Sequence, residues 1–454
     1  MNSKGENVSN SIRETLSKNI LADGFEPILD LDNSHESWIV DKVTGEKYLD
    51  MFTMYASGSI GYNNKYILDN KDVLTKAALF KPTLSDMYCD LYADFLDVFN
   101  KSAIPSYLKN AFFIEGGALA VENALKVAFD WKTRKNKMSN IQVESSCIIH
   151  FKEAFHGRSG YTMSLTNTDP IKVKYFPKFE WPRIVNPKIK FPLNEDNLIE
   201  VKSLEKLAIE QIYNAIKENK HQVAAIIIEP IQGEGGDNHF RCTFFQKLRD
   251  ICNEHDLLLI YDEVQTGIGI TGKMWAHQHF TPDLCDCDIK IETAPIPDII
   301  SFGKKTQVCG ILAGDRLDQV ENHAFKKSSR INSTFGGNLV DMVRFKLILE
   351  VIEKDRLLDN ASKMGSYLYQ KIDHLSKEFP GFVINPRGRG LFCAFDLPST
   401  IERDNLWNNM MKNNLLILPC GTESIRFRPH LTVNKDEIDT AFSIIEKSVK
   451  STLK

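Results

Sequence analysis

Two side chains in this sequence are placed to do covalent chemistry on a small molecule. Lys304 follows the apolar run Ile299 to Phe302 and Gly303, so its amine would project from a strand end into a crevice. An amine there suits Schiff-base formation once burial or neighbouring positive charge depresses its pKa. Asp262 closes a second apolar run, Leu257 to Tyr261. A carboxylate at the end of a buried strand is costly without a cationic partner. A protonated pyridine nitrogen is one such partner; a helix N-terminus or an arginine is another.

Further groups extend the pattern. Gly116-Gly117-Ala118 precedes a helical segment, where free backbone N–H groups and the helix dipole attract a phosphate. Phe155 and His156 are flat side chains able to stack on a ring, or to fill core. Arg158 lies two residues further on, in a turn bracketed by glycines, where its planar fork suits a carboxylate. Ser333-Thr334 stands before Phe335-Gly336-Gly337-Asn338, a hydroxyl-glycine turn that either holds a phosphate or shapes a loop. Lysine, carboxylate and phosphate site together fit pyridoxal phosphate (PLP), whose protonated ring is an electron sink.

The elements that must position these groups are legible as runs of four or five apolar residues ending in polar turns. Ala111 to Ile114, Cys147 to His150, Ala224 to Ile228, Leu257 to Tyr261 and Ile299 to Phe302 do not alternate, which marks strands buried on both faces. Helical spacing between them is clearest over Leu119 to Lys132, where Val121, Ala124, Leu125, Ala128 and Phe129 share a face; Leu207 to Lys217 and Phe245 to Glu254 behave alike. Alternating strands and helices predict an α/β unit with a mostly parallel sheet, whose ligand site lies at the carboxyl ends of the strands. From Met342 the character changes: one or two helices to Lys377, short strands over Phe382 to Pro386, Gly390 to Leu397 and Ile425 to Pro429, and a last helix over about Lys435 to Lys450. Thr281 to Pro297 carries prolines and mixed charge and reads as an inserted surface loop.

The whole-chain numbers bound the partners. Over 454 residues, 56 basic against 60 acidic side chains leave a net charge of −4, so neither nucleic acid nor an anionic membrane is an expected partner. No apolar run has the length of a bilayer span, and the N-terminus lacks an apolar signal core. Nine cysteines at irregular spacing do not form a disulfide framework, so a cytoplasmic setting is expected. Cys285-Asp286-Cys287 has the wrong spacing for structural zinc and no second pair, so no metal is expected.

Read in order, the motifs are similar to those of the class III, fold-type I, PLP-dependent aminotransferases, from about Leu29 to Lys447. They are LDMFT (Leu49 to Thr53), FIEGGALAVENALKVAFDWK (Phe113 to Lys132), AFHGRSGYTMSLTNT (Ala154 to Thr168), EPIQGEGGDNHF (Glu229 to Phe240), YDEVQTG (Tyr261 to Gly267), FGKKTQVCG (Phe302 to Gly310), NSTFGGN (Asn332 to Asn338) and RFRP (Arg426 to Pro429). GGALAVENALK, FHGRSGY and FGKKTQV resemble the members that act on the ε-amine of L-lysine.

That resemblance implies a large domain over 76–345 with a mostly parallel seven-stranded sheet. It also implies a smaller α+β domain built from 346–454 together with the N-terminal segment 1–75. Lys304 would carry the cofactor and shuttle the proton, with Asp262 on the pyridine nitrogen, Val264 on a ring face and Gln265 near the phenolic oxygen. Gly117 and Ala118 would supply phosphate amides, with Thr334 doing so from the partner subunit of a homodimer, and Phe155 and His156 would bind the cofactor, Phe155 by stacking. Arg158 would hold the α-carboxylate of L-lysine. Glu234 would cover Arg426 in one half-reaction and release it to 2-oxoglutarate in the other, unless the two form a permanent ion pair. Tyr55 would line the substrate pocket. The products would be 2-aminoadipate 6-semialdehyde, which cyclises, and L-glutamate. Ornithine, GABA or another terminal amine is the alternative donor, and a catalytically silent PLP-binding scaffold is the alternative of a different class. One departure stands out: Asp262 and Lys304 are further apart than is usual in the family, and the excess falls in 281–297.

Overall fold

The computed structural model describes residues 12–80, 86–285 and 290–454. Two short N-terminal strands, β1 (Trp38–Val40) and β2 (Lys47–Asp50), pair antiparallel. Seven strands then build the central sheet: β3 (Asn110–Ile114), β4 (Cys147–Phe151), β5 (Arg183–Ile184), β6 (Val223–Ile228), β7 (Leu258–Asp262), β8 (Ile299–Phe302) and β9 (Cys309–Ala313). Their spatial order is β3-β9-β8-β7-β6-β4-β5. The sheet is parallel except at β9, which runs antiparallel to both its neighbours. Five more strands follow: β10 (Ile384–Arg389), β11 (Phe392–Asp396), β12 (Leu415–Leu416), β13 (Leu418–Cys420) and β14 (Ser424–Phe427). β12 pairs with β2, so the two chain ends share a three-stranded sheet; β10, β11, β14 and β13 form a separate antiparallel one.

The α/β reading holds, and the reason is the continuous burial of the central strands. In β6 and β7 every residue is buried. Successive side chains go to opposite faces. Ile227, Leu258 and Ile260 join the cluster beneath the helix Gly117–Met138, with its Val121, Ala124, Leu125, Ala128 and Trp131. Ile226, Ile228, Leu259 and Tyr261 join the larger cluster on the other face, with Phe245 and Leu248 of the helix Cys242–Glu254. Continuing the parity of Leu258 and Ile260 puts Asp262 on the Gly117 side of the sheet, at the carboxyl end of its strand.

Helices are longer than their apolar spacing announces. The segment expected from Leu207 begins at Glu195, because Asn194 accepts the Asn197 N–H as a cap and Glu195 and Asp196 favour the first turn. Strand β9 was not foreseen; its five residues follow too closely on the Lys304 turn to be separated from it by pattern. The segment 281–297 departs from expectation in its described part. Cys285 and Ile291 are buried in the core, and the Pro295 carbonyl accepts the Tyr261 hydroxyl at 3.0 Å, so this stretch packs down onto the domain. Its prolines and charges masked two buried apolar anchors. Cys287 lies outside the described residues; among those described, no cluster of metal-ligating side chains occurs and no helix is long and apolar enough to cross a membrane.

Candidate active site

The loops leaving β3, β4, β6, β7 and β8 converge on a cavity of about 310 Å³. Its wall includes Lys304, Asp262, Val264 and Gln265 from the sheet's centre. Gly117, Ala118, Phe155, His156 and Arg158 complete the sequence-predicted residues found there. Gly116, at φ +95, turns the chain into the helix Gly117–Met138, which starts without a side-chain cap. Its first N–H groups are therefore left for a ligand. Gly157, at φ +109, brings the loop after β4 against that helix start: a Cβ there would lie 2.5 Å from the Ala118 Cβ.

Asp262 is held by three donors. The Ser301 hydroxyl and the Val264 N–H donate to Oδ1 at 2.9 and 3.1 Å, and His156 Nδ1 lies 2.8 Å from Oδ2. His156 is thus engaged edge-on with the carboxylate, not free to lie over a ring as its flat shape suggests, and its buried Nε2 has no hydrogen-bond partner among the described residues. Burial, followed by the charges of Arg426 and Arg428, lowers the Lys304 amine to about pH 8. At neutral pH a usable fraction is therefore uncharged and nucleophilic.

Glu234 and Arg426 meet as expected: Arg426 Nη2 donates to Glu234 Oε2 at 2.8 Å. Arg426 is almost fully buried, and its Nε and Nη1 have no hydrogen-bond partner among the described residues. Burial pulls the Glu234 carboxyl upward, but Arg426 and Lys172 outweigh it and hold the group down to about 2. Tyr55 and Thr334 are not in the cavity wall. Tyr55 is 54% exposed within a left-handed run from Thr53 to Ala56, and Thr334 is exposed in the loop before the helix Leu339–Lys354.

Three groups escaped the sequence. Glu229 is fully buried, accepting the Phe155 N–H at Oε1 and the Gly233 N–H at Oε2, both at 3.0 Å. Burial raises it to about 7, with Asp262 adding to the rise and His156 opposing it. The Glu-Pro that ends β6 was its only signal. Arg428 pairs with buried Asp237 through both terminal nitrogens and lends Nε to Gln265 Oε1 at 3.0 Å. Lys172, in a surface turn, donates to Glu234 Oε1 at 2.6 Å. These contacts link residues 62 or more positions apart in the last two cases, beyond the reach of local spacing.

The donor set fits pyridoxal phosphate: uncapped helix amides for the phosphate, a buried, anchored carboxylate for the ring nitrogen, apolar Val264 and Phe155 in the wall for the ring faces, and a lysine of lowered pKa for the aldehyde.

Comparison with known proteins agrees. The chain is 46% identical over 442 residues to an L-lysine-epsilon aminotransferase of Mycobacterium tuberculosis, covering 96% of this chain and 95% of that protein. It is 44% identical to one from Amycolatopsis lactamdurans, covering 97% and 96% respectively. The solved structure of lysine aminotransferase from M. tuberculosis in the internal aldimine form superposes with a TM-score of 0.92 at 46% identity, over 98% of this chain and 99% of that one. An ornithine aminotransferase from Toxoplasma gondii shares the fold, with a TM-score of 0.77 at 23% identity over 98% and 95% of the two chains. The profile of the family described as Aminotransferase class-III matches residues 22–449, and with these relatives it places the chain in that family.

Proposed function

We propose that this enzyme moves the ε-amino group of L-lysine to 2-oxoglutarate, giving 2-aminoadipate 6-semialdehyde, which cyclises, and L-glutamate. The observation that carries the reading is the Glu234–Arg426 pair beside Lys304. One site must take a donor with a single carboxylate and then an acceptor with two. Arg158, in the cavity wall, grips the α-carboxylate of lysine and points the far amine inward. While lysine reacts, Glu234 covers Arg426. The two unpartnered nitrogens of Arg426 and the edge Glu234 vacates then receive a carboxylate of 2-oxoglutarate.

Pyridoxal phosphate, when bound, supplies an electron sink for the bond-breaking at the amine-bearing carbon. Gly117 and Ala118 would offer their amides to its phosphate, and Asp262, fixed by Ser301, Val264 and His156, would keep its ring nitrogen protonated. Val264 and Phe155 would flank its ring, and Gln265, anchored by Arg428, would meet its phenolic oxygen. Lys304 Nζ takes the proton from Cε of the donor and, in the second half-reaction, delivers one to the α-carbon of the new glutamate.

Two further features belong to this reading. The enzyme works as a homodimer in the cytoplasm, with Thr334 reaching the partner's phosphate site. In support, Thr334 is exposed outside its own cavity. Leu79, Phe80, Met87 and Tyr88 expose apolar surface, each more than three-quarters exposed. No disulfide joins the cysteines among the described residues. The test of function is a single half-reaction. L-lysine added alone should bleach the visible absorbance of the purified holoenzyme, 2-oxoglutarate should restore it, and the product should be a cyclic imine. A band that ignores lysine but responds to ornithine or GABA would replace the donor.

A further inference from the structure

Glu234 has two cationic partners, not one. Arg426 Nη2 holds Oε2 at 2.8 Å, and Lys172 Nζ holds Oε1 at 2.6 Å. The two cations differ in kind. Arg426 is buried in β14 and cannot follow a moving carboxylate. Lys172 ends the short turn Pro170–Lys172, whose neighbours Ile171 and Tyr175 are more than 80% exposed, and its side chain is a quarter exposed. Its ammonium also lies 5.6 Å from the Phe155 ring centroid, so it sits against the cavity wall.

A carboxylate that leaves Arg426 while still mostly buried needs another positive charge. We infer that Lys172 is a positioning residue that keeps Glu234 when an acceptor carboxylate takes Arg426, so that opening the acceptor site exchanges partners instead of stranding a charge. This deepens the reading given above and rests on it. With both cations in place, Lys172 shares Glu234; with Arg426 occupied, Lys172 is its sole partner. Its removal therefore destabilises the open arrangement more than the covered one. Binding of the dicarboxylate weakens and binding of lysine does not.

The experiment measures dissociation constants for each substrate in single-turnover half-reactions of the holoenzyme. Lys172→Met should raise the constant for 2-oxoglutarate about fivefold, the scale of one partly buried ion pair, and leave that for L-lysine within about twofold. Lys172→Arg should restore the unsubstituted behaviour. In a Glu234→Ala background the Lys172→Met effect on 2-oxoglutarate should shrink below about twofold, because its partner is gone. Equal losses for both substrates, or an undiminished loss without Glu234, would overturn the role. Failure of the unsubstituted enzyme to react with 2-oxoglutarate at all would overturn the acceptor reading itself, before any variant is made.

Discussion

Arg428 holds Gln265 from the far side of the cavity wall: its Nε donates to Gln265 Oε1 at 3.0 Å while its two terminal nitrogens grip Asp237. The guanidinium also lies 3.3 Å from the centroid of the Phe392 ring, so one face is stacked while its edge is hydrogen-bonded. A lysine supplies a point charge and cannot span both oxygen partners. Arg428→Lys should therefore cost on the order of 3 kcal/mol of stability in denaturant titration, the scale for breaking a buried pair. It should also loosen Gln265 and so shift the visible absorbance of the bound cofactor. An unchanged midpoint and spectrum would show that Gln265 is held by its own loop.

The Lys304 amine should set the pH dependence of cofactor capture. An ordinary lysine becomes uncharged near pH 10.5; burial, with Arg426 and Arg428, lowers this one to about 8. Only the uncharged amine attacks an aldehyde, so the rate at which apoenzyme takes up pyridoxal phosphate should rise with pH and level off above about pH 8. Arg426→Gln removes the largest charge contribution and should move the midpoint upward. A midpoint near 10 in the unsubstituted protein would mean that the amine is solvated before the cofactor arrives.

Arg158 should distinguish lysine from the bare diamine. Its proposed contact is with the α-carboxylate, which 1,5-diaminopentane lacks. Arg158→Ala should weaken L-lysine about a hundredfold, the scale of a bidentate charge-assisted pair, and leave the diamine within about threefold. Steady-state comparison of the two donors checks it, and equal losses would remove Arg158 from carboxylate recognition.

What was legible in the sequence follows one physical rule. Lys304, Asp262 and Gly117 stand next to strands so apolar that their ends are visible as polarity changes, and each was found in the cavity wall. Glu229 has the same address, yet a single glutamate before proline carries no chemical signature until its two amide donors are seen. Lys172 and Arg428 act through partners on other loops, and no local pattern marks a surface lysine as the second holder of a buried carboxylate. Tyr55 shows the converse. It follows the family-like stretch LDMFT by two residues, but its side chain is more than half exposed in the single chain and packs edge-on against Phe52. The buried anchors of 281–297 were hidden for a compositional reason, since two apolar residues among prolines and charges do not form a period.

Glu234→Ala should separate the two half-reactions. With the carboxylate gone, Arg426 keeps its full charge beside Lys304, because the remaining acid near it, Asp237, is already committed to Arg428. An uncovered arginine attracts a second carboxylate, so L-glutamate should load the enzyme about tenfold more readily than before. L-lysine should lose by a similar factor, since its end near Arg426 carries an ammonium that now meets an unscreened positive charge. The bare charge should also lower the Lys304 amine further, moving the pH profile of cofactor capture down while Arg426→Gln moves it up. Opposite shifts in the two variants, with opposite changes in donor preference, would identify the pair as a gate. A lysine half-reaction that ignores the loss of Glu234 would leave it a permanent ion pair of the fold.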